Sequence, residues 1–510
     1  VIVGGGHNAL VAATLLARAG RSVLLLERNG SLGGAAASAS PFPGVDVAIS
    51  RYAYLVSLFP QALLDELGVA VELRPRRVAS CTPDGDRGLL VGGDAEATRR
   101  SFAEVTGSPA DYEAWLAWHR LTASLAAAVA PTLLGPLPAA DEVRRRAGEE
   151  AWSVLVERPL GTSLRQFFGS DLVRGLVCTD GLIGTLAHSE ESSLRQNRCL
   201  LYHVVGNGHG RWDVPVGGMG ALSGALAAAA RAAGAELRTG AEVESIDTDG
   251  RCAEVRTSDG GRHRARVVLC GAAPAVLDRL LGRPSVAPPE GAQLKCNLVV
   301  TRLPRLACGI EPADAFCGTL HVNERLTQLD AAFATATSGA RLPDPVPCEV
   351  YCHTLTDPSI LGPNDRNPGL QTLTAFALHT PARLFRAAPA AGQRQALEGL
   401  LASLQSVLAE PLEDCVARSP GGEPCIELHT PLDLEDELAM PGGHIFHRDL
   451  DWPWAERDDE VGTWGAGTGI ANVMLCGSGT RRGGAVSGLG GHDGARAALA
   501  ALDAAAGGAA

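Results

Sequence analysis

The sequence is almost without lysine: Lys295 is the single one among 510 residues, and every other basic side chain is arginine. The bias reads as compositional rather than as selection for guanidinium chemistry. Positive charge is scarce as well. With 44 Lys and Arg against 57 Asp and Glu, the formal net charge is −13, which excludes a nucleic-acid partner because phosphate binding needs a basic surface. The densest basic cluster, Arg144, Arg145 and Arg146, is expected on a solvated helix face. Cysteine is present, but its 13 copies form no CxxC pair. Cys348 and Cys352 come nearest and lack a matching second pair, so no structural zinc framework is expected. The thiols read as reduced and mostly buried, in a cytoplasmic protein. No signal peptide is visible, and the chain opens directly on a strand. Long apolar runs are also missing. Residues 121–140 carry no charge, yet Pro131, Pro136 and Pro138 interrupt them and much of the rest is alanine. That stretch predicts a helix running into a proline-rich loop rather than a membrane span, with peripheral membrane contact as the alternative.

Aromatic residues are few, at 4%, whereas glycine (61) and alanine abound. A hydrophobic content of 46% still allows a large buried core, and the length suggests two domains. The first nine residues carry a specific pattern. Val1-Ile2-Val3 is a β-branched run suited to a buried parallel strand. Gly4-Gly5-Gly6-His7-Asn8-Ala9 fits G-x-G-x-x-[G/A], and a helical run ends at Gly20. A second strand then delivers Glu27, followed by Arg28. Gly4 permits the tight turn, Gly6 lets backbone approach a pyrophosphate, and Ala9 keeps helix and strand close. The helix amino terminus offers free N–H groups to phosphates, and Glu27 stands where an acid accepts ribose hydroxyls.

Two further glycine-rich segments favour FAD over NAD. Leu32-Gly33-Gly34-Ala35 forms a second small-residue turn that continues a diphosphate cradle. Near the other end, the strand-like residues 472–476 lead into Gly477-Ser478-Gly479-Thr480 and then into Gly483-Gly484-Ala485-Val486-Ser487-Gly488. A helical pattern follows over 490–502. Backbone N–H groups of this second turn would face the ribityl chain and pyrimidine edge of a flavin. Between the two lies a third piece: Gly217-Gly218-Met219-Gly220, a small-residue helix, strands about Val243 and 265–270, and turns at Asp249-Gly250 and Asp259-Gly260.

Together these segments resemble the bacterial phytoene-desaturase family of FAD oxidoreductases, most closely its broad phytoene desaturase-like branch. The carriers are residues 4–13, 212–220, 271–274, 442–447 and 476–488, spread over nearly the whole chain. The resemblance implies an α/β fold: a Rossmann-like FAD-binding domain with a discontinuous mixed-sheet substrate domain and a helical cap. Residues 1–60, 205–275 and 455–510 would form the flavin domain, and 61–204 and 276–454 the substrate domain. The implied cofactor contacts are Gly4, Gly6, His7, Asn8, Ala9, Glu27, Arg28, Gly33, Gly34, Ala35, Val243, Gly271, Gly477, Ser478, Gly484, Ala485, Val486 and Gly488. A departure from carotenoid desaturases comes at Arg481-Arg482-Gly483, where those enzymes commonly carry His-Pro-Gly.

Flavin dehydrogenation needs a donor carbon held against the ring and often a base. His444 and His447, just before the last flavin segment, and Tyr52, just after the first, are the catalytic candidates. Arg51, Tyr54, Tyr351 and His353 are secondary ones, and no metal is expected. The expected activity is a desaturase, dehydrogenase or oxidase acting on a small organic or apolar substrate, with oxygen or a quinone as electron acceptor. The alternatives are a flavin amine oxidase, whose aromatic cage Trp452, Trp454 and Trp464 would supply, a flavin-dependent isomerase, and a non-enzymatic binding protein on the same fold. Cys476 is expected as a buried strand residue rather than a covalent flavin anchor.

Overall fold

In the computed structural model, residues 1–208, 210–284, 290–362 and 369–507 are described. A five-stranded parallel sheet runs in the order Val473–Leu475, Val268–Cys270, Ile2–Val3, Leu24–Leu26, Glu236–Arg238. The amino-terminal strand is thus central, paired with Val268–Cys270 on one side and Leu24–Leu26 on the other. Strands buried on both faces read as continuous apolar runs, and four of these do, while the edge strand Glu236–Arg238 is largely exposed and charged. The helix His7–Arg18 buries every residue from His7 to Leu16. Its small side chains let the helices Met219–Ala232 and Leu489–Gly507 pack closely against it. Gly491 is obligatory at that contact, because a Cβ there would stand 1.8 Å from the Asn8 carbonyl oxygen. A three-stranded antiparallel sheet, Val243–Thr248, Ala253–Thr257 and Arg262–Ala265, covers the outer side, with Gly250 and Gly260 at positive φ in its turns.

A seven-stranded mixed sheet stands opposite, in the order Ile426–His429, Leu294–Val300, Gln371–Ala377, Cys348–Tyr351, Thr319–Val322, Val78–Asp84, Arg87–Gly92. Its pairs are antiparallel except the Thr319–Val322 and Val78–Asp84 pair. Strand alternation divides its residues. Cys296, Leu298, Leu373, Ala375, Cys348, Val350 and Leu320 join an apolar core with the helix Pro389–Gln405. Lys295, Thr374, Phe376, Glu349, Tyr351 and His321 alternate with them.

Helices Ala110–Val129, Ala140–Ala147, Leu160–Phe167, Asp171–Thr179 and Arg195–Val205 build a third layer with its own core. The uncharged stretch 121–140 ends the first of these and passes through the turn Ala130–Thr132. Among the described residues no helix is long and apolar enough to cross a membrane. Arg144 and Arg146 lie on the helix Ala140–Ala147 in exposed ion pairs with Glu149, Glu157 and Glu142. All thirteen cysteines are free thiols, buried except Cys252 and Cys308.

Candidate active site

The first glycine turn opens onto a cavity of about 730 Å³ that runs between the two sheets and under the helical layer. Gly4 takes φ +90°, which a side chain would resist. Gly6 caps the helix His7–Arg18 with no side-chain hydrogen bond, so the first-turn N–H groups have no side-chain cap. A Cβ on Gly6 would meet nothing within 4 Å. The space in front of it therefore belongs to the cavity, which Gly4, Gly5, Gly6, His7, Asn8 and Ala9 all line. Both side-chain polar atoms of Asn8 and Nε2 of His7 are buried there without a partner. An uncapped helix terminus, open space before a glycine and unpartnered buried polar atoms together fit a diphosphate.

Glu27 is buried at the same wall. Its Oε2 accepts from the Gly5 N–H at 2.6 Å and its Oε1 from the Asn29 N–H at 2.8 Å. Arg28 lines the cavity and donates to the Asp436 carbonyl at 2.5 Å. Gly34, Ala35, Val243, Gly271, Gly477, Ser478, Ala485 and Val486 line it as well. Three of the glycines read from sequence stand behind the wall instead. Gly33, at φ +116°, faces Ser223; Gly484 faces Leu450; Gly488, at φ +71°, faces Phe59. They shape the turns. His7 lies against the Ala485 backbone, and burial pulls its pKa down to about 4, leaving a neutral imidazole at the junction.

The opposite wall is polar. Lys295 is buried, donates to the Ser50 carbonyl at 2.5 Å, and holds its Nζ 4.9 Å from the Tyr54 ring centroid. Desolvation carries its pKa well below that of a free lysine. Tyr54 and Tyr351 pack with centroids 4.7 Å apart, and the Tyr351 hydroxyl donates to Glu349. Burial raises the Glu349 carboxyl to about 8, and neighbouring Glu324 adds to the rise. His321 stands across from Glu349 in strand register, with Nδ1 2.6 Å from Glu324 Oε2 and 3.7 Å from Glu349 Oε1. Trp115, Trp118 and His119 from the helical layer line the cavity too.

The catalytic candidates divide. His447 lines the cavity at φ +68°, with Nδ1 buried and unpartnered. Burial, then neighbouring His444 and His7, lower its pKa to about 4. His444 does not line the cavity: it is buried behind, with Nε2 3.5 Å from Asp449 and Nδ1 accepting from the Phe446 N–H at 3.3 Å. Tyr52 touches the cavity, but its hydroxyl is committed to Glu437 within a network of Arg51, Glu427 and His429. Arg51 and His353 are outside the wall, the latter 3.2 Å from Asp357. Trp452 and Trp454 stack at 4.9 Å inside the helical core, and Trp464 packs on His492. None of the three lines the cavity, so they form no cage there. Cys476 is buried outside it, in the apolar core of the parallel sheet.

Sequence reasoning missed Lys295, Tyr351's partner Glu349, and His321. The signal was alternation: Leu294-Lys295-Cys296, Cys348-Glu349-Val350 and Leu320-His321-Val322 each place one ionisable residue among apolar ones, as a half-polar strand does.

Comparison with known proteins agrees with this geometry. Residues 2–63 match the model of an NAD(P)-binding Rossmann-like domain, and residues 137–303 that of a flavin containing amine oxidoreductase. An uncharacterized protein of Mycobacterium tuberculosis is 49% identical over 98% of this chain and 97% of its own. The mouse pyridine nucleotide-disulfide oxidoreductase domain-containing protein 2 is 29% identical over 97% of this chain and 92% of its own. Among solved structures, putrescine oxidase superposes with a TM-score of 0.59 at 18% identity, covering 99% of this chain and 98% of that one. The chain therefore belongs to one family with the mycobacterial protein, within the superfamily of FAD-dependent oxidoreductases, and its cofactor is FAD.

Proposed function

We propose that the protein oxidises a carbon–nitrogen bond of a small polar amine, as an oxidase or dehydrogenase. One observation carries this reading: the cavity wall facing the flavin-side glycine turns bears Lys295, Glu349, His321 and two tyrosines, ionisable groups that an apolar polyene would leave desolvated and unpaired. The phytoene desaturase-like likeness thus extends to cofactor and fold, while the wall favours a substrate with a proton to lose. Putrescine oxidase, on the same fold, acts in its own cavity on an amine, which supports the reading by analogy.

FAD supplies the two-electron acceptor when bound. In this proposal Gly4, Gly6, Asn8, Ala9, Gly34, Ala35, Gly477 and Ser478 hold its diphosphate, and Glu27 and Arg28 its ribose. Val243 and Gly271 lie towards the adenine, and Ala485 and Val486 towards the ring. The flavin domain comprises 1–60, 205–275 and 455–510, with the remainder as substrate domain. Burial lowers the Lys295 pKa and so favours its uncharged amine, which can take a proton at Nζ. Tyr54 and Tyr351 orient the substrate, and the helical layer excludes water. Electrons leave to oxygen, a quinone or another small acceptor.

The test is a visible spectrum of the purified protein, identification of the flavin released on denaturation, and anaerobic addition of amines and their isosteric alcohols. Bleaching by amines and not by alcohols supports the reading. Bleaching only by apolar alkenes moves the assignment to a desaturase, and a colourless protein that refuses FAD sinks it.

A further inference from the structure

We propose that the Glu349 wall of the cavity is a subsite for a primary ammonium group of the substrate, with Glu349 as its carboxylate partner and His321 and Glu324 behind it. The inference rests on the amine reading and deepens it. Two strands and one helix end bring these groups together. Glu349 and His321 are cross-strand partners facing the cavity. Glu324 follows the His321 strand and accepts from Thr179 Oγ1 at 3.2 Å. Asp180, just beyond the helix Asp171–Thr179, lines the cavity beside them.

The cluster has more acid than it has cation. Glu324, Glu349 and Asp180 act on one another, and among the described residues His321 and Arg76 oppose them. Arg76 is already occupied, donating to the Trp212 carbonyl at 3.1 Å and to Thr319 Oγ1 at 2.9 Å, with its guanidinium 5.7 Å from the Tyr351 ring centroid. A second observation points to a ligand. Glu324 is 2% exposed and its Oε1 has no hydrogen-bond partner, although a buried carboxylate oxygen is normally satisfied. Thr82, on the neighbouring strand, also keeps a buried hydroxyl without a partner. Tyr54, Tyr351 and Phe376 add aromatic surface, which favours a cation over an anion.

Burial keeps Glu349 protonated up to about pH 8. Docking an ammonium therefore drives one proton from the Glu349 carboxyl to bulk water, and the ammonium N–H then donates to the carboxylate. No bond to carbon changes and nothing is oxidised. Affinity for a cation should rise about tenfold per pH unit until pH ~8 and level off above it.

A probe that cannot be oxidised separates binding from catalysis. tert-Butylammonium has no hydrogen on the carbon bearing nitrogen, and tert-butanol is its neutral counterpart. Calorimetry of the FAD-loaded protein in two buffers of different ionisation enthalpy gives both affinity and protons released. The expected result is binding of the ammonium but not the alcohol, near one proton released at pH 7, and that pH slope. Glu349→Gln mimics the protonated acid and should keep the fold. It should weaken ammonium binding at least about tenfold and abolish proton release, while Glu349→Asp restores part of both. No binding, unchanged affinity in Glu349→Gln, or a stoichiometric divalent ion found on this cluster by metal analysis would overturn the subsite. The two readings fail separately. Amines that bleach the flavin equally well in wild type and Glu349→Gln leave the activity standing without the subsite. Glu349-dependent binding with no amine bleaching the flavin leaves the subsite without the activity.

Discussion

His7, at the start of the first helix, lies against the backbone of Ala485, in the loop before the last one. The two glycine-rich turns are thereby joined through an imidazole that must stay neutral. Its pKa falls from 6.5 to about 4 on burial. A group whose folded pKa is depressed adds stability that is complete above the unfolded value and lost as pH falls through the folded one. His447, also near 4, lies on the same cavity wall. Acidification from pH 6.5 to 4 should therefore destabilise the folded chain, at a cost of up to roughly 3 kcal/mol per histidine. Urea unfolding midpoints across that pH range read the loss. His7→Asn cannot be protonated there and should shift the transition to lower pH; an unshifted curve would show that the junction plays no part.

Gly6 offers a cleaner test of the phosphate cradle. Its φ of −68° and ψ of 166° suit any residue, and a Cβ there meets no protein atom within 4 Å. Gly6→Val should cost at most about 1 kcal/mol as a poorer helix cap, yet it fills the space a diphosphate would occupy. The expected variant is folded by circular dichroism and colourless. Retention of stoichiometric flavin would place the diphosphate elsewhere.

Lys295 makes two measurable contributions. Lys295→Met keeps the stem and removes the amine. If Nζ handles a proton in the reaction, flavin reduction by an amine should slow by about 10²–10⁴, with FAD content unchanged. The second effect is on stability. Burial lowers the lysine's pKa in the folded protein, whereas the unfolded chain holds its proton to pH ~10.4. Between the depressed folded value and ~10.4 the unfolded state binds more protons, so stability rises with pH. Urea unfolding of both proteins across that range should show the rise in wild type and not in Lys295→Met.

The dinucleotide turn was legible because its information is local: a strand, three small residues, a helix and an acid lie within 27 positions of the amino terminus. The sheet order was not, because its neighbours Ile2–Val3, Val268–Cys270 and Val473–Leu475 come from distant segments. The polar wall was hidden for the same reason. Lys295, Glu349 and His321 sit singly on three short strands, and only the pairing register puts them on one surface. The histidine pair shows a finer limit. His447 and His444 are three residues apart, but the backbone at His447 turns to φ +68°, and that turn sends one ring to the cavity and leaves the other beside Asp449. The tryptophans looked suited to a cage by composition, but packing among the cap helices took Trp452 and Trp454, and His492 took Trp464.

Arg482 occupies the position where the desaturase pattern differed, and its surroundings explain what it does. It is fully buried, with Nη1 3.8 Å from Asp493 and hydrogen bonds to the carbonyls of Leu133, Gly135 and Pro453. The guanidinium thus ties the loop of the carboxyl-terminal flavin segment to the proline-rich stretch of the helical layer. Arg482→Met would leave buried Asp493 with His492 Nδ1, at 2.9 Å, as its remaining partner and three carbonyls without a donor, which should cost about 3–5 kcal/mol. Adding Asp493→Asn removes the stranded charge and should recover part of the loss, giving a double-mutant coupling well above additivity. Denaturant midpoints of the four proteins measure this. Additive effects would mean that the long ion pair contributes little and that the carbonyl hydrogen bonds alone hold the cap against the flavin loop.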